Sequence, residues 1–240
     1  MLLVYALSIP CVIAGYLFGN RKLKIHLITL RATLIWCTFF TTVYIVALSL
    51  FKLNLLNEDI AGTLITMFYG TFSGVAFGKF HSQLLSKKSS GYQLYAYRNT
   101  LTDSTPLLAG STLIIGGLLR MFWDLNLVIT PIQFFSGSSL IGLGLLMYTL
   151  HLVPNLRTQC ILILDEIISW DRLSSYEWID DFEVLIYLDR SSEKEAMTRS
   201  VSIHVNEGMR LKVERILALK LEDNQKKALN KNHSRSDESE

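Results

Sequence analysis

Five long apolar runs, each without a charged residue near its centre, occupy the first 153 residues of this 240-residue chain. Each run is close to the roughly 20 residues that a helix needs to cross a ~30 Å hydrocarbon core. The sequence therefore predicts an α-helical membrane bundle of about five transmembrane helices. The predicted spans are about 1–19, 33–51, 60–78, 106–123 and 127–150.

Charge divides the chain into two parts. Residues 1–153 carry ten Lys/Arg and four Asp/Glu, whereas residues 154–240 carry thirteen and seventeen, so the two parts have net charges of +6 and −4. This distribution is typical of a membrane part followed by a water-exposed part. We predict a transmembrane domain over 1–153, a small cytoplasmic α+β domain over 154–221 and a disordered, polar tail over 222–240.

The basic residues indicate an orientation in the membrane. The predicted inner loops contain eight of them, whereas the outer turns contain only Lys52 and the snorkelling Arg120. Because positively charged loops stay in the cytoplasm, the N-terminus is expected outside and the C-terminus inside. A four-span alternative, with Met1–Gly19 outside the bundle or removed, stays open. The lipid bilayer is in either case the first expected partner.

Three glycines recur every four residues in the predicted third span, at Gly70, Gly74 and Gly78. This spacing places them on one helix face and allows a neighbouring backbone to approach closely. The face is expected to pack against another span of the same chain, and homodimerisation is the alternative.

A long cytoplasmic connection is predicted between the two helical hairpins, over Lys79–Thr105. Three tyrosines lie between its lysines and its arginine, and the apolar ring and polar tip of tyrosine suit the head-group zone of a membrane. The candidate lipid head-group contacts are Lys87, Lys88, Tyr92, Tyr95 and Arg98. Ordinary interfacial anchoring is the default interpretation of these residues, ahead of specific lipid recognition.

The C-terminal part contains strand patterns followed by a helix pattern. Gln159–Leu164 is a short β-prone run, and Phe182–Leu188 and Thr198–Val205 alternate with the period of two that half-buried strands show. Asn206 is a candidate N-cap for an amphipathic helix that extends to about Leu221. Strands closed by one such helix form a small α+β unit.

The segment IISWDRLSSYEWIDDFEVLIYL places Trp170, Tyr176 and Trp178 before a strand, a polar loop, a second strand and a terminal helix. In this order, residues 159–221 resemble the compact PH-like domains attached to spans in bacterial membrane proteins of unassigned function. The resemblance implies a partial roll of strands capped by a helix, with a role in assembly or scaffolding. It also implies a bacterial inner membrane. The three aromatic residues are expected to pack the core of the roll.

No constellation for catalysis is found in the sequence. The five histidines are scattered without zinc-type spacing, and neither a phosphate-binding glycine loop nor a nucleophile elbow is present. We therefore predict a non-enzymatic protein without cofactor or metal. The acidic C-terminal part disfavours nucleic acid as a partner.

Two functional hypotheses remain from the sequence. The first is an integral membrane protein whose cytoplasmic domain docks a protein partner, as a scaffold or assembly factor for a membrane complex. The alternative is a small transporter or channel with a regulatory cytoplasmic domain. The spans lack the central charged residues that ion and proton pathways normally need, which disfavours that alternative.

Overall fold

The computed structural model of this chain describes residues 2–24, 38, 42, 45–46, 49–53, 57–97, 99–123, 129–164, 166–189 and 199–237. The chain divides into two compact units. The first, called the helical unit, comprises Met1–Lys87 and Asp103–Leu150; the second, called the sheet unit, comprises Lys88–Thr102 and His151–Glu240. The predicted span 33–51 lies mostly outside the described residues.

Four helices among the described residues are long and apolar enough to cross a membrane, judged by length and composition. They are α1 (Leu2–Arg21), α2 (Glu58–Ser89), α3 (Thr100–Phe122) and α4 (Pro131–Thr149). They coincide with four of the five predicted spans. At the start of α4, the Thr130 side chain accepts a hydrogen bond from the backbone of Gln133, whose own side chain accepts one from the Thr130 backbone. This capping box fixes where α4 begins.

Helix α2 is longer than the third predicted span, because it continues from Gly78 to Ser89. Lys79, Lys87 and Lys88 therefore lie on a helix and not in a loop. The Lys79 side chain is buried, and its Nζ donates a hydrogen bond to the Leu23 carbonyl oxygen at 2.7 Å, just beyond the end of α1. A cation at the C-terminus of a helix compensates the partial negative charge there.

The glycines of α2 lie against the backbone of α1. A Cβ atom at Gly74 would overlap the carbonyl oxygen of Val12, and one at Gly78 would overlap that of Tyr16. At Gly70 the nearest atom is a methyl of Val12, at 3.4 Å. The predicted glycine face is thus occupied by another helix of the same chain.

Helix α1 contributes glycines to the same interface. A Cβ atom at Gly15 would overlap the carbonyl oxygen of Thr71, and one at Gly19 would overlap that of Val75. Both backbones therefore approach each other through positions without side chains, which brings Cα–H groups close to carbonyl oxygens.

Helices α3 and α4 use the same principle. A Cβ atom at Gly110 would meet the Gly144 carbonyl oxygen at 2.9 Å, and one at Gly117 would meet the Gly137 carbonyl oxygen at 2.7 Å. Close backbone packing is thus common to the two described helix pairs, α1 with α2 and α3 with α4.

We predict that Gly74→Ala destabilises the helical unit, since the added methyl group meets backbone atoms that cannot move independently. Overpacking of this kind costs about 1–3 kcal/mol. Gly116→Ala is the matched control, because nothing lies within 4 Å of its Cβ position. Thermal unfolding in detergent checks the prediction, and equal melting temperatures for the two variants would contradict the α1–α2 contact.

The described residues of the sheet unit form two antiparallel sheets, a short 3-10 helix at Trp170–Arg172 and one long helix. The first sheet has the order β1-β2-β3-β4 and the second has the order β5-β6-β7. The strands are β1 (Gln93–Ala96), β2 (His151–Arg157), β3 (Cys160–Leu164), β4 (Glu166–Ser169), β5 (Leu173–Trp178), β6 (Glu183–Leu188) and β7 (Arg199–His204), and α5 covers Arg210–Asp237. The α+β composition of the C-terminal part is as predicted.

One hydrophobic core joins both sheets and α5. Alternate residues of β6, namely Val184, Ile186 and Leu188, are buried, as the period-two pattern predicts. The helix adds Val213 and Leu217 to the same core. Sheets and helix are therefore held together by the burial of alternating apolar side chains.

Strand β1 comes from the connection between α2 and α3, and it pairs with β2, which follows α4. Tyr95 lies opposite Leu156, and Ala96 lies opposite Asn155. The turn into β1 uses Gly91 at a φ of 76°, where a Cβ atom would overlap the Thr158 hydroxyl. Helices α3 and α4 are thus inserted between two neighbouring strands of one sheet.

Helix α5 continues to Asp237, although a disordered tail is predicted from residue 222. Specific contacts account for this difference. Asn224 Nδ2 donates a hydrogen bond to the Trp170 carbonyl oxygen at 2.6 Å, and Lys227 Nζ lies 2.9 Å from an Asp171 carboxylate oxygen. The hydrogen bond from Lys227 lowers the pKa of Asp171, and a second one from Ser169 acts in the same direction.

We predict that a fragment comprising only residues 151–237 does not fold cooperatively, because it lacks β1 and the buried Tyr95. Loss of a buried aromatic ring costs about 3–5 kcal/mol, a large share of the stability of a small domain. A matched construction joins residues 88–97 to 151–237 through a short Gly/Ser linker, and it should unfold cooperatively. Circular dichroism on heating checks both, and cooperative unfolding of the shorter fragment would refute the role of β1.

Candidate functional site

Two neighbouring cavities in the sheet unit form the candidate site, which we call the β1 groove. The first has a volume of about 270 Å³ and is lined by residues 93–96 of β1 together with Asn206, Met209 and Lys212. The second has a volume of about 280 Å³ and is lined by Tyr97, Phe182 and residues 204–207. The two cavities share Asn206 and follow five consecutive residues of the β1 segment.

Tyr95 links the two sides of the groove through its buried side chain. Its side chain is only 6% exposed and belongs to the hydrophobic core. The phenol oxygen accepts a hydrogen bond from the Asn206 backbone N–H at 2.9 Å and donates one to the His204 carbonyl oxygen at 3.3 Å. Tyr95 therefore ties β1 to the connection between β7 and α5, which are the two sides of the groove.

Large apolar side chains are exposed at the same end of the sheet unit. Ile179 is 58% exposed, Phe182 is 52% exposed and Met209 is 43% exposed. The Val205 N–H donates a hydrogen bond to the Phe182 carbonyl oxygen at 2.6 Å, which brings the β5–β6 turn next to the β7–α5 connection. We call these three side chains the apolar end. Exposed apolar groups that cluster beside a groove are typical of interaction sites.

Charged groups surround the apolar end. Arg210 donates a hydrogen bond to Asp181, and its guanidinium carbon lies 4.8 Å from the centre of the Trp178 ring. This stacking holds the first turn of α5 against β5. Lys212 is exposed and lines the first cavity, whereas Glu207 lines the second. The groove thus has a basic part and an acidic part.

The three aromatic residues of the predicted PH-like core lie together. Trp170 is 5% exposed and donates a hydrogen bond from Nε1 to the Arg157 carbonyl oxygen at 2.8 Å. Tyr176 and Trp178 are partly buried and pack against the same core cluster. Each of them therefore contributes to packing.

The predicted lipid head-group contacts do not share one environment. Lys87, Lys88 and Tyr92 are exposed. Tyr95 is buried, so the expectation of a head-group contact is wrong for this residue; its ring fills the core and its hydroxyl is hydrogen-bonded within the sheet unit. Arg98 lies outside the described residues.

Several groove residues were not predicted from the sequence as site residues, namely Phe182, Asn206, Met209 and Lys212. The sequence pattern predicts Phe182 on the apolar face of a strand, but Phe182 precedes β6 and is half exposed. The N-cap prediction for Asn206 is wrong, because α5 begins at Arg210. The first turn therefore contains Arg210 and Lys212 and no acidic residue, a pattern that becomes visible only once the helix start is known. Helices normally favour the opposite charge at this end, so the pattern marks a position where a local rule is broken.

Within the described part of the chain, no group of three or more His, Cys, Asp or Glu residues is arranged to hold a metal ion. Comparisons with protein-family models, with curated proteins and with solved structures find no match. Function is therefore inferred from the groove and the apolar end themselves.

We predict that Tyr95→Phe lowers the free energy of unfolding of the sheet unit by about 1–3 kcal/mol, since it leaves the partly buried Asn206 N–H without its acceptor. Tyr92→Phe is the matched control, because that ring is 86% exposed. Denaturant unfolding of the full chain in detergent, followed by tryptophan fluorescence, checks the prediction. An unchanged midpoint for Tyr95→Phe would contradict the role of the hydroxyl.

The unmodified chain and Tyr95→Phe should also differ in how their free energy of unfolding changes in alkaline solution. Burial raises the pKa of Tyr95 above its usual 10.0, although the hydrogen bond from the Asn206 backbone acts in the opposite direction. Above pH 10 the unfolded chain loses this proton before the folded chain does, so stability falls as the pH rises through the folded pKa. Tyr95→Phe should remove this part of the decline. Parallel stability curves for both proteins between neutral pH and pH 11 would refute it.

Proposed function

We propose that this chain is a multi-pass membrane protein of non-enzymatic type whose sheet unit docks a protein partner, as a scaffold or assembly factor for a membrane complex. The apolar end carries this proposal, because three large apolar side chains are exposed beside a groove. Four apolar helices among the described residues provide the anchor. Such a combination suits a domain that recruits another protein to a membrane.

The architecture of the sheet unit supports the proposed likeness to PH-like domains. Four strands form one sheet, three form the other, and a C-terminal helix packs on the shared core. Under this proposal the first strand of the roll is β1, and the hairpin of α3 and α4 is an insertion after it. Residues 88–102 then belong to the PH-like domain together with the C-terminal part.

We place the N-terminus outside and the C-terminus in the cytoplasm of a bacterial inner membrane. The excess of basic residues in the predicted inner loops supports this orientation. The pairing of β1 with β2 requires both strands to lie on the same side of any membrane that α3 and α4 cross, and this holds for either orientation. Cysteines placed near each end and tested with a membrane-impermeant reagent would report the orientation.

Purification of the full chain from native membranes in mild detergent tests the docking function. Phe182→Ser removes the side chain of the apolar end that lines the second cavity, and it should reduce the recovered partner at least about tenfold, as expected for an interface anchor. Ile167→Ser is the matched control, because Ile167 is also half exposed but lies on β4. It should leave recovery unchanged.

Two results would contradict the docking function. One is repeated recovery of the chain without a partner in stoichiometric amount. The other is equal recovery with both serine variants, which would remove the apolar end from the interface. Solute flux into liposomes containing the purified chain would instead favour the transporter hypothesis.

A further inference from the structure

Among the described residues, strand β1 has one edge without a partner strand, and its residues line the groove. Among the described residues it pairs only with β2, so it lies at the end of its sheet. All four of its residues, Gln93–Ala96, line the first cavity, and Tyr97 lines the second. The four residues of β1 span about 13 Å, which is within the range of short strands.

We propose that the β1 groove binds an extended segment of the partner protein, which adds a strand to the edge of β1. This inference rests on the proposed docking function and deepens it. Backbone hydrogen bonds to β1 would provide affinity, and the two cavities would receive alternate side chains of the segment. The free edge of β1 and the two cavities along it are the juxtaposition that supports this mode of binding.

The charge of Lys212 indicates which type of side chain of the bound segment enters the first cavity. Lys212 lines it, and among the residues that the structure describes no carboxylate lies within ion-pair distance of Lys212. The first turn of α5 carries no acidic side chain of its own. A carboxylate on the bound segment would therefore find a complementary cation at this position.

The second cavity has a different chemistry. Phe182 and Tyr97 line it, and the Tyr97 ring packs edge-on against His204 at a centroid distance of 5.8 Å. Glu207 lies in the same lining and repels a carboxylate. An aromatic or large aliphatic side chain thus fits the second cavity. The bound segment is therefore expected to carry an acidic residue at one end and an aromatic residue at the other.

The probes are fluorescein-labelled peptides of sequence Asp-Val-Thr-Val-Phe and its reversal, Phe-Val-Thr-Val-Asp, because either strand direction is compatible with an edge. Binding is measured by fluorescence polarisation on the full-length chain in nanodiscs. We expect one peptide to bind, and N-methylation of its central amides to weaken binding about tenfold through loss of backbone hydrogen bonds. If neither peptide binds below about 1 mM, or if N-methylation has no effect, strand addition is refuted.

Lys212→Glu tests the charge assignment. It should weaken binding of the acidic peptide about tenfold, and it should strengthen binding of a peptide that has Lys in place of Asp. Arg215→Glu is the matched control, because Arg215 is exposed on the same helix but does not line either cavity; binding should stay within about twofold. Equal losses in both variants would overturn the assignment of Lys212.

Two further outcomes separate this inference from the docking function. If the partner is still recovered with Lys212→Glu, and neither peptide binds the unmodified chain, docking stands and strand addition fails. If Lys212→Glu changes the oligomeric state of the chain while neither peptide binds, a second copy occupies the groove and the proposed partner segment is refuted.

Discussion

The pairing of β1 with β2 is the interaction on which the rest of the structure depends. It joins Ala96 to Asn155, so the chain must leave the sheet, pass through α3 and α4, and return to the neighbouring strand. Backbone pairing across such an insertion has a large cost in loop entropy, which a helical hairpin reduces because it brings its own two ends together. The α3–α4 hairpin and the first sheet therefore support each other's formation.

Tyr95 shows how β1 contributes to stability and, under the proposed function, to recognition. Its side chain fills the core and its hydroxyl joins β1 to Asn206, while the edge of the same strand lines the groove. A strand that is fixed on its inner face and along one edge keeps its other edge in a constant position. Preorganisation of this kind lowers the entropy that β1 itself loses when a partner binds.

Features with a repeating local pattern were predictable from the sequence, and features that depend on distant partners were not. The apolar runs and the alternation in β6 and β7 carry their own signal in charge and periodicity. Strand β1 has only four residues, and its partner β2 begins more than fifty residues later. The extension of α5 depends on Asn224 and Lys227, polar residues whose partners near Trp170 no local pattern reveals. The groove could not be predicted for the same reason, since its two sides come from separate parts of the chain.

Under the proposed function, the position of the groove makes recognition dependent on the chain segment that carries α3 and α4. One side of the groove is β1, and this strand is covalently part of the segment between α2 and α3. A soluble fragment that starts at β2 would lack that side, whatever its remaining structure. Failure of such a fragment to bind a partner would therefore say nothing about the complete chain. Because the edge of β1 exists only when β1 is paired with β2, any condition that separates the two strands removes the core contact of Tyr95 and the proposed docking edge together.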